Sequence, residues 1–125
     1  MIAIDTSSII AYLSEKPGRD TICVDDALEK GIAVFPPLVL VELLSDRNLS
    51  EHLVKIFKSI PLLQLAPGFW ERAGLLRAKV LGGGHKARIA DTLIAQSCID
   101  KSIPLITRDR DFRHFQKEGG LMLLA

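Results

Sequence analysis

The chain has 125 residues, 48% of them hydrophobic and 25% charged, the length of one domain and the composition of a folded globular protein, which excludes intrinsic disorder. A net charge of +1 neither demands nor forbids a nucleic-acid partner, so local clustering has to decide that point. No apolar run reaches the roughly 20 residues of a spanning helix and the opening MIAIDTSS lacks the basic n-region of a signal peptide, so one unit over 1–125, cytoplasmic and with no membrane partner, is expected.

In chain order, the first strand-length apolar run is Met1–Ile4, and Asp5 follows it directly, ahead of a helix that Thr6 or Ser7 would cap. Cys23 lies in a helical pattern, a reduced thiol packed as a small hydrophobe, as Cys98 does later. A second run spans Ile32–Phe35. Leu49, Leu53, Ile56, Phe57 and Ile60 then recur at helical spacing behind Ser50, a good N-cap. A third run, Leu62–Leu65, precedes a helix marked by Phe69, Ala73, Leu76 and Val80. Three glycines, Gly82 to Gly84, lead through a basic segment into a helix over Ala90, Leu93, Ile94, Ser97 and Cys98. Pro104–Thr107 and Leu121–Leu124 complete the apolar runs. Continuous rather than alternating hydrophobicity is how strands covered on both faces read, and strands alternating with helices build a parallel sheet. The class is α/β, with about five strands flanked by helices.

Ligands of open parallel sheets bind beyond the carboxyl ends of the strands, so acids there are weighed separately. Asp5 stands at the end of the first run. Glu42 is isolated in PPLVLVELL, and such a carboxylate either faces water or is held by a cation. Asp91 shares a helix face with Ile94, Ala95 and Cys98, so it points along the packed face toward the rim. Asp109 and Asp111 follow the PLIT run; Asp109 is nearer the strand and is the candidate, while Asp111, before Phe112, reads as a loop or capping aspartate bordering the site. Any one of these acids could be a cap or a surface charge. Four converging carboxylates repel one another unless a cation lies between them, and an all-oxygen site suits Mg²⁺ or Mn²⁺. Such a site performs phosphoryl chemistry, activating water for attack on a phosphodiester.

The stretches IDTSSIIAYL, VLVELL, ARIADTLIAQ and LITRDRDF together resemble the four acidic motifs of PIN-domain ribonucleases, in particular VapC-type toxins of toxin–antitoxin modules, in order and over essentially the whole chain. The resemblance implies a parallel sheet ordered like 3-2-1-4-5 and Asp5, Glu42, Asp91 and Asp109 as metal-binding, catalytic acids, with Thr6 and Thr107 as hydroxyl neighbours. It also implies an RNA substrate, a small inhibitory antitoxin and a homodimer. The chain departs from the family at Gln96, where a small residue is usual, and in the triple glycine ahead of Asp91.

Basic residues bracket the acids: His85, Lys86 and Arg88 before Asp91, then Arg108, Arg110, Arg113, His114 and Lys117 around Asp109. Lys86, Arg88, Arg108 and Arg110 are the expected phosphate contacts, which would position RNA without reading its sequence. Few aromatics are available for stacking, which favours a folded RNA over an extended strand. GGGHKAR lacks the Gly-Lys-Ser/Thr ending of a P-loop. Phosphoacceptor domains are the rival class. A haloacid-dehalogenase-like enzyme needs an aspartate where Ser7 stands, and a receiver needs a lysine where Arg108 follows the PLIT run. A PIN-like module that binds without cleaving is the other alternative.

Overall fold

The computed structural model describes residues 1–125. Its elements are β1 (Ile2–Ile4), α1 (Thr6–Leu13), α2 (Arg19–Glu29), β2 (Ala33–Val34), α3 (Pro37–Leu44), α4 (Glu51–Ser59), α5 (Phe69–Gly82), α6 (Ile89–Lys101), β3 (Leu105–Ile106), a 3₁₀ turn (Arg110–Phe112) and α7 (Arg113–Gly119). The strands form one parallel sheet in the order β2-β1-β3. Ala3 of the central strand lies opposite both Val34 and Leu105, and Ile4 opposite Ile106.

This corrects the expected sheet of about five strands ordered 3-2-1-4-5. The runs Leu62–Leu65 and Leu121–Leu124 each contribute a single parallel bridge, Phe35 with Leu62 and Leu105 with Leu123, and no strand. The reason lies in the residues that follow each inner strand. Pro36 has no N–H and starts a helix, so β2 offers nothing to pair with beyond Phe35, whose N–H and carbonyl bond Pro61 and Leu63, each at 2.9 Å. On the other side Leu105 exchanges bonds with Met122 and Leu124, also at 2.9 Å, and the Thr107 N–H reaches the Ala125 carbonyl at 3.1 Å, where β3 gives way to the turn at Arg108 and Asp109. Burial alternates along these runs, with Leu63 and Leu121 buried and Leu62, Met122 and Leu124 exposed, so they lie along the edges of a short sheet and are not covered on both faces.

Helix boundaries follow local chemistry. Ser50 caps α4, its hydroxyl accepting from the Leu53 N–H at 3.2 Å. Pro37 opens α3, where its fixed φ suits a first helical residue. At α1 the N-cap is Asp5, one residue earlier than expected, which leaves the hydroxyls of Thr6 and Ser7 free for other partners. Helix α2 packs on β2 and β3, α1 lies on α2 and α3, and α5, α6 and α7 pack together. The core holds 25 buried hydrophobic residues, among them Phe35, Phe57, Phe112 and Phe115. Cys98 is buried and Cys23 half-buried, both free thiols. Gln96 is 5% exposed; its amide donates to Asp100 Oδ1 at 2.8 Å, so the unusual residue on α6 is absorbed into a polar contact.

The sheet register sets the site. Because Ile4 lies beside Ile106, the next residues on the two strands, Asp5 and Thr107, emerge side by side, and the Asp5 N–H still donates to the Ile106 carbonyl at 2.9 Å.

Candidate active site

Asp5 is 4% exposed, and both hydroxyls beside it aim at one of its oxygens: Ser7 Oγ and Thr107 Oγ1 donate to Oδ2 at 2.7 and 2.8 Å. Burial pushes its pKa above the ordinary 3.8, the hydroxyls hold it down against that, and the charge of Glu42 adds a smaller upward push. Thr107 also accepts from the Asp109 N–H at 3.1 Å, linking the fourth acid to the first through one side chain.

Asp91 sits in the first turn of α6, half-buried, with Ile94, Ala95 and Cys98 buried on its face as the helical spacing predicts. Its pKa is raised to about 6, first by burial and then by the charges of Asp109, Asp5 and Glu42; Arg88 opposes them. Asp91 therefore lies within electrostatic reach of the other three acids, and Asp5 within reach of Glu42. Glu42 is exposed on α3 and accepts a 2.7 Å bond from Thr6 Oγ1, so of its two sequence readings, solvent-facing or enclosed, the first describes where it stands.

The fourth motif differs from expectation in detail. Asp109, not Asp111, is the N-cap of the 3₁₀ turn, its Oδ1 accepting from the Asp111 N–H at 2.9 Å, while Asp111 lies in the first turn. Arg108, expected on phosphate, pairs with Asp20 instead, and the same carboxylate accepts from Ser8 Oγ. Lys86, Arg88 and Arg110 are exposed and outside every ion pair, which involve Lys30, Arg72 and Arg108. Arg110 shares with Arg113, Thr107 and Asp109 a hollow of about 370 Å³.

None of the four acids is neutralised by a lysine or arginine. As the side chains lie, no three acidic, histidine or cysteine groups stand close enough to hold an ion. Charge coupling acts over a longer range than coordination, so the two observations are compatible: the carboxylates are neighbours, spaced wider than a chelate. In donor type the set fits a hard divalent cation, all oxygen and all anionic.

Sequence reasoning missed Ser7, Ser8 and Asp20. Ser7 stands two residues from Asp5 in the motif, a spacing at which a hydroxyl can serve the carboxylate as well as cap the helix, whereas Ser8 donates to Asp20. Asp20 carries no such signal, because its arginine lies 88 residues away.

Residues 2–118 match the PIN domain family. No curated protein matches the sequence significantly. Similar solved structures include VapBC2 from Rickettsia felis, crystallised with a DNA fragment from its promoter, at 20% identity and a TM-score of 0.71, covering 98% of this chain and 97% of that one. VapBC-5 from Mycobacterium tuberculosis, of the VapBC family of toxin–antitoxin systems, gives 17% and 0.68 over 98% and 95%, and FitAcB from Neisseria gonorrhoeae 17% and 0.71 over 100% and 97%. At these identities the structures speak for the fold, and the family match covers nearly all of the sequence: the chain belongs to the PIN domain family.

Proposed function

We propose that this PIN domain is a cytoplasmic, Mg²⁺- or Mn²⁺-dependent ribonuclease, the toxin of a toxin–antitoxin pair. The observation that carries the reading is that, in a PIN fold, Asp91 is coupled to three further carboxylates, Asp5, Glu42 and Asp109, and none of the four is held in an ion pair. Asp5, Glu42, Asp91 and Asp109 would hold the cation, which when bound supplies Lewis acidity and lowers the pKa of water for attack on a phosphodiester. The protein's own part is to place these acids and, at Asp5, to offset the effect of burial on its charge. Ser7 and Thr107 stabilise the charged form of a buried Asp5, and Thr6 orients Glu42 over the same rim. Lys86, Arg88 and Arg110 are the phosphate contacts in this reading, and Arg108 is withdrawn from that role by Asp20.

The test is cleavage of a structured RNA by purified protein with Mn²⁺, with Mg²⁺ and after chelation. Cleavage is expected only with metal; full activity in EDTA would remove the metal from the reading. With the family shown, the phosphoacceptor alternatives lose their footing, and a non-cleaving binding module is the alternative that binding without turnover in Mn²⁺ would favour.

A small antitoxin belongs to the same proposal. A groove of about 250 Å³, lined by Ile10, Leu13, Leu43, Leu49, Leu53 and Phe57, opens beside Glu42. It suits an apolar helix whose basic side chain reaches the acids. Co-expression with the product of the neighbouring gene is expected to give a complex with suppressed nuclease activity, and Leu13→Glu to weaken it. A free enzyme that also dimerises completes the reading, and sedimentation of the isolated chain tests that part.

A further inference from the structure

Arg108 stands between two residues of the candidate site, Thr107 and Asp109, yet its guanidinium is bound elsewhere. Its Nε donates to Asp20 Oδ2 at 2.8 Å and a terminal nitrogen to Oδ1 at 2.9 Å, a two-pronged pair. The same terminal nitrogen reaches the Pro17 carbonyl at 3.3 Å. Asp20, 6% exposed, accepts a further bond from Ser8 Oγ at 2.9 Å. The Arg108 backbone N–H donates to Ser7 Oγ at 3.3 Å. One buried carboxylate on α2 thus ties the start of α1 to the segment leaving β3. Those two segments carry Asp5 and Asp109.

We infer that Asp20 is a positioning residue: through Arg108 and Ser8 it fixes where Asp109 stands relative to Asp5, and so sets the affinity of the site for a divalent cation. This rests on the metal-dependent reading above. Asp109 needs such a hold. It follows a two-residue strand, and its own hydrogen bonds are short-range ones, to Thr107 Oγ1 and from the Asp111 and Phe112 N–H groups. The like charge of Asp91 acts on it as well. A buried carboxylate that loses its partner is strongly disfavoured, so whenever α2 packs on α1 the pair forms and residue 108 is held in one place.

The fold supplies its own control. Arg72 and Asp100 form an equally two-pronged pair at 2.8 and 2.7 Å, and the Asp100 side chain is 7% exposed, as is that of Asp20. That pair joins α5 to the far end of α6, about 13 Å along the helix from Asp91 at 1.5 Å per residue.

The experiment titrates Mn²⁺ into the full chain by calorimetry and follows hydrogen exchange of the Asp109 and Asp111 amides. Asp20→Asn is expected to weaken Mn²⁺ binding about tenfold, the size typical of groups that orient metal ligands, and to speed both amides. Ser8→Ala, which removes one bond and spares the ion pair, shifts both readouts the same way by less. Asp100→Asn lowers the melting temperature and changes neither. Added to Asp109→Asn, Asp20→Asn weakens binding no further. Equal effects of Asp20→Asn and Asp100→Asn, or a full extra loss on top of Asp109→Asn, would overturn the assignment. A wild-type chain that binds no Mn²⁺ would instead sink the metal reading; faster amide exchange in Asp20→Asn would then still support the tether, and unchanged exchange would overturn it.

Discussion

Keeping a carboxylate at the end of a buried strand requires groups that favour its charged form, and Asp5 has two, Ser7 and Thr107. Thr107→Val keeps the shape, removes the donor to Asp5 and leaves the Asp109 N–H without its acceptor. The expected cost is about 1–2 kcal/mol. Because the lost bond favoured ionised Asp5, denaturant unfolding should show a larger deficit at pH 7 than at pH 4; an equal deficit would mean that the hydroxyl serves packing only. Asp91 lacks such donors, and burial followed by the charges of Asp109, Asp5 and Glu42 disfavours its ionised form. Its folded pKa of about 6 lies above the unfolded 3.8, so the folded state holds the extra proton between those values and stability falls as pH rises through that window. In chelator, Asp91→Asn should therefore be more stable than wild type at pH 8 by about 1–2 kcal/mol, after allowance for solvent screening, with the gain gone below pH 3.8. Unfolding curves at pH 3.5, 6 and 8 check it; a gain independent of pH would place its origin elsewhere.

The 3₁₀ turn after β3 is held by Asp109, which makes that residue both a cap and a candidate ligand. Its substitutions should separate the two roles. Asp109→Asn keeps a capping oxygen and should lose metal-dependent turnover with its melting temperature nearly unchanged; Asp109→Ala should lose turnover and about 1 kcal/mol as well; Asp111→Asn should keep most of both. Turnover in Mn²⁺ beside thermal melts decides it, and an inactive Asp111→Asn with an active Asp109→Asn would move the fourth ligand along the turn. The helices were legible because periodicity and caps are local: the Leu49 to Ile60 spacing and Ser50 define α4 to within a residue or two. The sheet was less so. An apolar run fixes neither its burial nor its pairing, which depend on what its neighbour offers; Leu62 and Met122 stand exposed, and Pro36 ends β2 too early for Leu62–Leu65 to form more than one bridge. The cap at Asp109 was missed because two aspartates two residues apart fit the same turn, and sequence does not say which carboxylate folds back.

Across the whole molecule, the four candidate acids stand out in sequence by local pattern, Asp5 and Asp109 after apolar runs, Glu42 within one and Asp91 on an apolar helix face, none of which needs the register. Their hydrogen-bonding partners do not stand out. Ser7 and Thr107 meet across 100 residues and Asp20 and Arg108 across 88, contacts that only the parallel pairing of β1 with β3 and the packing of α2 create. The wide spacing of the carboxylates was equally invisible, since sequence gives charge and order but not separation. The central claim is that these acids act as one cation site, and it is tested by RNA turnover at saturating Mn²⁺ for Asp5→Asn, Asp91→Asn and the double variant, with folding checked by melting. A shared site predicts that each single change removes most of the activity and that the double variant is scarcely worse than either; two folded single variants that retain turnover, or defects that multiply in the double, would contradict it.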